Sequence, residues 1–348
     1  MFPPPDRIKE LDALRGFAAI SVVLFHYTMA CPPLERYFVF GVTGVELFFM
    51  ISGFVIFFTL QHTKTGLDFI VSRFSRLYPT YWVCVTLTLL FILCQGRIDG
   101  RFMEDLGYMY GMNLTMWQQY FQVEDLEWTY WTLTVEWQFY AFMYLLFVAK
   151  KLQQVEHVGW LGLGLSLCFG TFVPLNFTNL YQFLKTYLPL IEFFPLFLAG
   201  VLFYKLKFES PRVGVIGQLL ACLATQFLLF EYAGTSSWHL SPQNYAIALI
   251  GFFAVFTLLA YGYLSFIVNK VTVYLGAISY PLYLIHLYFG YSFFTPFLIR
   301  HFSISYAVAS LCITLPLVLM LSSFLHQKVE VPSTLVIRQW YNRYKSLK

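Results

Sequence analysis

Apolar residues run along this chain in long blocks, without the alternating or one-sided patterns of a protein surrounded by water. Ten blocks approach or exceed the roughly 20 residues that a helix needs to cross a hydrocarbon core. They cover 12–31, 38–60, 77–94, 128–149, 157–175, 186–204, 213–232, 242–262, 272–295 and 304–325. Such blocks predict helices, because inside lipid every backbone N–H and C=O must be bonded within its own segment or a closed barrel. The expected fold is an all-α polytopic membrane protein of about ten transmembrane helices. It is read as a single domain over residues 1–348, with no fused soluble domain and no internal repeat. The longest connection, about 95–127, sets acids among aromatics and is expected along the outer membrane surface.

Orientation follows from Lys and Arg, which concentrate in cytoplasmic loops. With the N-terminus in the cytoplasm, 16 of the 22 fall in the two tails and the even-numbered loops, among them Lys64, Lys150, Lys205 and Arg338. The opposite side keeps five (Arg36, Arg97, Arg101, Lys185 and Arg300), and Arg15 lies within the first helix. Both termini are therefore expected to be cytoplasmic. The first apolar block holds His26 and lacks a small-x-small cleavage site, so it reads as a retained helix, not a signal peptide.

Composition supports lipid as the solvent. The chain is 59% hydrophobic and 11% charged, where globular proteins carry about 25% charged residues. The net charge of +4 is small; membrane lipid is an expected partner and nucleic acid is not. The six cysteines form no CxxC pair and no metal-ligand spacing, and no metal is expected. Cys31 and Cys94 both fall at outer helix ends, which leaves a disulfide between them open.

The chemistry lies in polar groups placed where lipid is hostile to them. An ionisable residue at mid-bilayer costs a few kcal/mol and normally faces the protein interior with a function. From the 1.5 Å rise per residue, His26 and His286 each lie about 21 Å from the cytoplasmic starts of their helices. Glu46, Glu136 and Glu192 lie roughly 9–12 Å in from the outer surface. Five ionisable groups from five helices thus share one layer in the outer half of the membrane. Thr132, Glu136 and Tyr140 share one helix face, as do Ser279, Tyr283 and His286. Arg15 and His26 face the same way about 16 Å apart, an arrangement suited to a long ligand with an anionic head and a reactive far end. Arg73 and Arg76, one turn apart at the expected start of the third helix, could complete an anion site. Plainer readings stand beside these: topology anchors for Arg73 and Arg76, interior hydrogen bonding for His286, packing for Glu46, and a bond to backbone freed near Pro195 for Glu192.

Six blocks resemble, in order, those of the acyltransferase 3 family of membrane-bound acyltransferases. They are LDALRGFAAISVVLFHY, with Arg15 and His26; GVTGVELFFMISGF, with Glu46; and SRFSRLYPTYW, with Arg73 and Arg76. WTLTVEWQFY holds Trp131, Glu136 and Tyr140; LGAISYPLYLIH ends at His286; VEVP follows with Glu330 and Pro332. Glu46 stands where the family more often has Asp.

The resemblance implies a multi-pass enzyme of the inner (plasma) membrane that takes an acyl group, acetyl foremost, from cytoplasmic acyl-CoA. The acceptor it implies is a hydroxyl of a cell-surface glycan or its lipid-linked precursor. Acyl-CoA is then a donor substrate and no cofactor is permanently bound. Arg15, Arg73 and Arg76 would hold the CoA phosphates, His26 would take the acceptor hydroxyl's proton or accept the acyl group first, and Glu136 would orient the imidazole. Glu46, Trp131, Tyr140 and His286 would line the substrate site. A proton-coupled transporter is the alternative, since a mid-membrane His/Glu layer also suits a proton relay. The oligomeric state, including a homo-oligomer, stays open.

Overall fold

The computed structural model describes residues 8–94, 100–209, 212–232 and 236–347. Of the charges used for orientation, Arg7, Arg97 and Lys348 lie outside them. Among the described residues the chain is helical without strands. Its α-helices are α1 Lys9–Thr28, α2 Pro32–Phe38, α3 Gly44–Gln61, α4 Gly66–Cys94, α5 Gly100–Asn113 and α6 Trp131–Val148. They continue as α7 Val155–Thr171, α8 Val173–Asn176, α9 Thr178–Tyr187, α10 Leu190–Phe208, α11 Val213–Leu228 and α12 Ser236–His239. The last are α13 Pro242–Ala260, α14 Lys270–Ile285, α15 Thr295–Phe302, α16 Leu315–Leu325 and α17 Val331–Ser346. Three π-helical segments, His286–Phe294, Val308–Thr314 and His326–Glu330, join or extend the later helices.

Every apolar block of the sequence contains helix. By length and composition, five continuous helices can cross a membrane, or up to seven if each of two bent pairs counts as one span. The bends are 120° between Trp128–Val148 and Leu152–Thr171, and 53° between Thr178–Tyr187 and Leu190–Phe208. Of the other expected spans, α1 begins with Lys9, Glu10, Asp12 and Arg15, and α11 has only 16 residues. One boundary differs materially from expectation. α4 begins at Gly66, so Arg73 and Arg76 lie about two turns inside a 29-residue helix, not at its start. Polar residues Asp68, Ser72 and Ser75 hid that first part from a hydropathy reading.

The chain divides into two compact units. One comprises residues 1–22, 39–63 and 135–276, and the other 23–38, 64–134 and 277–348. In the first unit α3 and α10 touch backbone to backbone. A Cβ on Gly53 would collide with the Phe197 carbonyl, and one on Gly200 with the Met50 carbonyl. Small residues permit this approach, and dispersion then replaces the hydrophobic drive that lipid does not supply. Phe197 fills the seam, its ring 4.8 Å from Phe49 and 4.3 Å from Phe139. Gly276 meets the Asp12 backbone in the same way, joining α14 to α1. Buried Lys205 is bonded to Glu156 at 2.5 Å and to Glu209 at 3.4 Å, so its charge is compensated locally.

In the second unit the connection after α5 is tied down by Asn113, which is fully buried. Its Nδ2 donates to the Glu124 and Met109 carbonyls at 2.9 Å, and its Oδ1 accepts from Leu126 N at 3.0 Å. Tyr81 and Trp82 of α4 donate to the carbonyls of Asn113 and Leu114 at 2.7 and 2.9 Å. Cys31 and Cys94 are free thiols, without the disulfide the sequence left open.

Candidate active site

The second unit joins two histidines 260 residues apart in sequence. His26 lies in the last turn of α1, where it is half-buried, and His286 opens the π-helical segment after α14, where it is fully buried. His286 Nε2 lies 3.1 Å from His26 Nδ1, with the ring centroids 5.1 Å apart.

Proton positions follow from the acceptors. His286 Nδ1 lies 2.9 Å from the Tyr283 carbonyl and 3.2 Å from that of Leu282. Carbonyl oxygens only accept, so Nδ1 carries the hydrogen and Nε2 of the neutral ring carries the lone pair. His26 must therefore donate Nδ1–H to His286, and its own Nε2 becomes the basic nitrogen. The backbone carbonyls of Leu282 and Tyr283, far away in sequence, thus set the tautomer of His26.

The surrounding groups hold His286 in place. Tyr27 donates to the His286 carbonyl at 3.0 Å. Tyr283 is 2.9 Å from the Thr132 hydroxyl and donates to the Thr129 carbonyl at 3.3 Å. Glu127 receives the Tyr288 N–H at 2.9 and 3.2 Å, capping the first turn of the π-helix. That wider turn changes which carbonyls are bonded within the helix, and π segments are frequent at functional sites. Sequence reasoning left Glu127 with the outer-surface acids, whereas it is buried, 1% exposed. Its proximity to Trp131 and the apolar block that follows was the available signal.

The expected site residues divide between the units. His26, His286, Arg73, Arg76 and Trp131 lie in the second. Arg73 is buried over the Phe69 ring and donates to the Ser72 hydroxyl at 3.3 Å. Arg15, Glu46, Glu136 and Tyr140 lie in the first. There the Ser52 hydroxyl donates to Glu136 Oε1, and that of Ser236 to Glu46 Oε1 at 2.5 Å. His26 is paired with His286, and Glu136 accepts from Ser52. The carbonyl that Pro195 frees is that of Ile191, and it accepts from the Ser166 hydroxyl at 2.8 Å, so Glu192 is not needed to satisfy it. Gln138 ties the start of α10, accepting from Leu190 N and donating to the Tyr187 carbonyl, both at 3.0 Å.

Comparison with known proteins supplies the context for this pair. Nodulation protein 10 of Rhizobium leguminosarum bv. viciae is 28% identical over 262 residues, covering 68% of this chain and 70% of that protein. A protein of Acidianus two-tailed virus named "Putative acetyltransferase" is 24% identical over 287 residues, 79% of this chain and 81% of the relative. A Staphylococcus aureus (strain COL) protein named "Putative O-acetyltransferase" is 25% identical over 315 residues. Those residues are 80% of this chain but half of the relative's length. No solved structure matches. The acyltransferase 3 profile, described as Acyltransferase domain, matches residues 8–323. With nearly the whole length matched, the chain belongs to the acyltransferase 3 family of membrane acyltransferases.

Proposed function

We propose that this acyltransferase moves an acyl group, acetyl foremost, from cytoplasmic acyl-CoA to a hydroxyl of an extracytoplasmic or lipid-linked glycan, with His26 as general base. The supporting observation is the His26–His286 pair, in which the tautomer of His26 is set by backbone. In this reading the acceptor hydroxyl attacks the thioester carbonyl while His26 Nε2 takes its proton. The tetrahedral intermediate then expels the CoA thiolate, which recovers that proton from His26. His286 Nε2 accepts from His26 Nδ1–H throughout and stabilises the transient imidazolium, the part an aspartate plays in a serine-protease triad. A charge-assisted bond of this kind is stronger than the neutral one it replaces, so its gain falls at the transition state. Arg73 and Arg76, in the same unit as His26, are assigned to the anionic end of the donor.

The test is purified full-length protein with acetyl-labelled acetyl-CoA and a mixture of lipid-linked and polymeric glycans. Label should enter base-labile ester on carbohydrate, and His26→Ala should abolish this without changing yield or thermal midpoint. Activity retained by His26→Ala would remove the base from the mechanism. A wild-type protein that neither transfers nor hydrolyses acetyl-CoA, yet moves protons in liposomes, would favour a transporter.

A further inference from the structure

The C-terminal helix brings a third guanidinium to the two arginines of α4. Helix α17 is docked on α4 by polar bonds: Thr334 donates to the Ser75 carbonyl at 2.9 Å, and Arg338 Nε to the Ser75 hydroxyl at 3.3 Å. The terminal nitrogen of Arg338 donates to the Ser72 carbonyl at 3.5 Å and hydroxyl at 3.3 Å. That hydroxyl also takes the bond from Arg73, so two guanidinium groups converge on one oxygen. Arg76 lies within electrostatic reach of Arg338. One and two helical turns further on, Tyr341 and Lys345 donate to Asp68 at 2.9 and 2.7 Å.

Charge accounting makes this more than packing. Lys345 already compensates the nearby Asp68 carboxylate, and His326 holds Glu330 at 2.8 Å. Among the described residues no carboxylate pairs with Arg338 or Arg76. Like charges brought together repel, and for Arg338 and Arg76 no paired carboxylate offsets this, so an incoming anion would be favoured. Arg338 is held only by long bonds to neutral serine oxygens, which a phosphate can replace with shorter, charge-assisted ones.

We propose that Arg338 completes, with Arg73 and Arg76, a three-arginine clamp for the phosphates of the acyl-CoA donor, and that the Asp68–Tyr341–Lys345 contact holds α17 across it. The proposal rests on the acyl-CoA reading above. The test is calorimetric titration of CoA into full-length protein in phosphatidylcholine nanodiscs. Arg338→Ala should weaken CoA binding roughly ten- to hundredfold, the range for a charged hydrogen bond. Arg338→Lys should restore only part of it, since Lys keeps the charge and loses the fork. Arg338→Gln, able to keep bonds to Ser72 and Ser75, serves if the Ala variant unfolds, and should lose as much affinity. Wild type that binds no CoA overturns the donor reading and the clamp with it. Wild type that binds CoA, with Arg338→Gln unchanged, overturns the clamp alone. An anionic lipid headgroup has the same chemistry: if Arg338→Gln sheds bound phosphatidylglycerol from mixed nanodiscs without losing CoA affinity, the proposal is likewise refuted.

Discussion

Replacing His286 by phenylalanine tests the tautomer argument directly. The phenyl ring fits the space of the imidazole and stays apolar where His286 is fully buried, but offers His26 no acceptor. His26 Nδ1–H then loses its partner at 3.1 Å, and nothing from the Tyr283 and Leu282 carbonyls reaches it. A hydrogen bond to a charged group is worth about 1.5–3 kcal/mol, and each 1.36 kcal/mol is tenfold in rate. The expected loss is therefore roughly ten- to hundredfold in kcat. Because the bond strengthens as His26 gains its proton, kcat and kcat/KM should fall together while the affinity for CoA is unchanged. His286→Gln, with an amide oxygen to accept, should recover part of the rate. In a double-mutant cycle, His286→Phe should add little to His26→Ala, since the two residues act as one unit. The assay is single-turnover acetyl transfer from labelled acetyl-CoA at saturating donor, with the thermal midpoint measured in parallel. Wild-type kcat in a folded His286→Phe protein would refute the reasoning, as would a loss confined to donor KM.

Other outcomes follow from other parts of the fold. Glu127→Ala leaves the Tyr288 N–H without its acceptor, at a cost of about 1–3 kcal/mol; it should lower the thermal midpoint, and Glu127→Gln should lower it less. Gly200→Val puts side-chain carbon against the Met50 carbonyl; overpacking of this kind costs about 1–3 kcal/mol, read as a lower midpoint in fluorescence-detected size exclusion. Single cysteines on a Cys-free background at Trp117 and Asn176 should label from outside intact cells. Those at Lys150 and Glu209 should label only after lysis, and labelling of Lys150 in intact cells would reverse the assigned orientation.

Much of the candidate site was legible because depth in a membrane is a one-dimensional property. A helix advances 1.5 Å per residue, so counting residues placed His26 and His286 in one layer, and the cost of a bare charge in lipid marked both as interior. The pairing was not legible. Whether two histidines 260 residues apart in sequence meet depends on how their helices are rotated about their own axes. That rotation is set by close approaches elsewhere, such as Gly276 on the Asp12 backbone and Gly290 on Tyr27. The same reason hid Arg338, whose partners on α4 are more than 260 positions upstream.

The run of apolar blocks determined by itself that the chain is helical and built for lipid. The asymmetry of Lys and Arg supported one orientation, because both properties are sums over residues and survive ignorance of packing. Tertiary structure alone decided that Glu127 caps a π-helical turn, that Glu136 engages Ser52, and that His286 faces His26 through its lone-pair nitrogen. Each of these depends on one atom lying within about 3 Å of another, and helix periodicity places a side chain on a face without saying what that face meets.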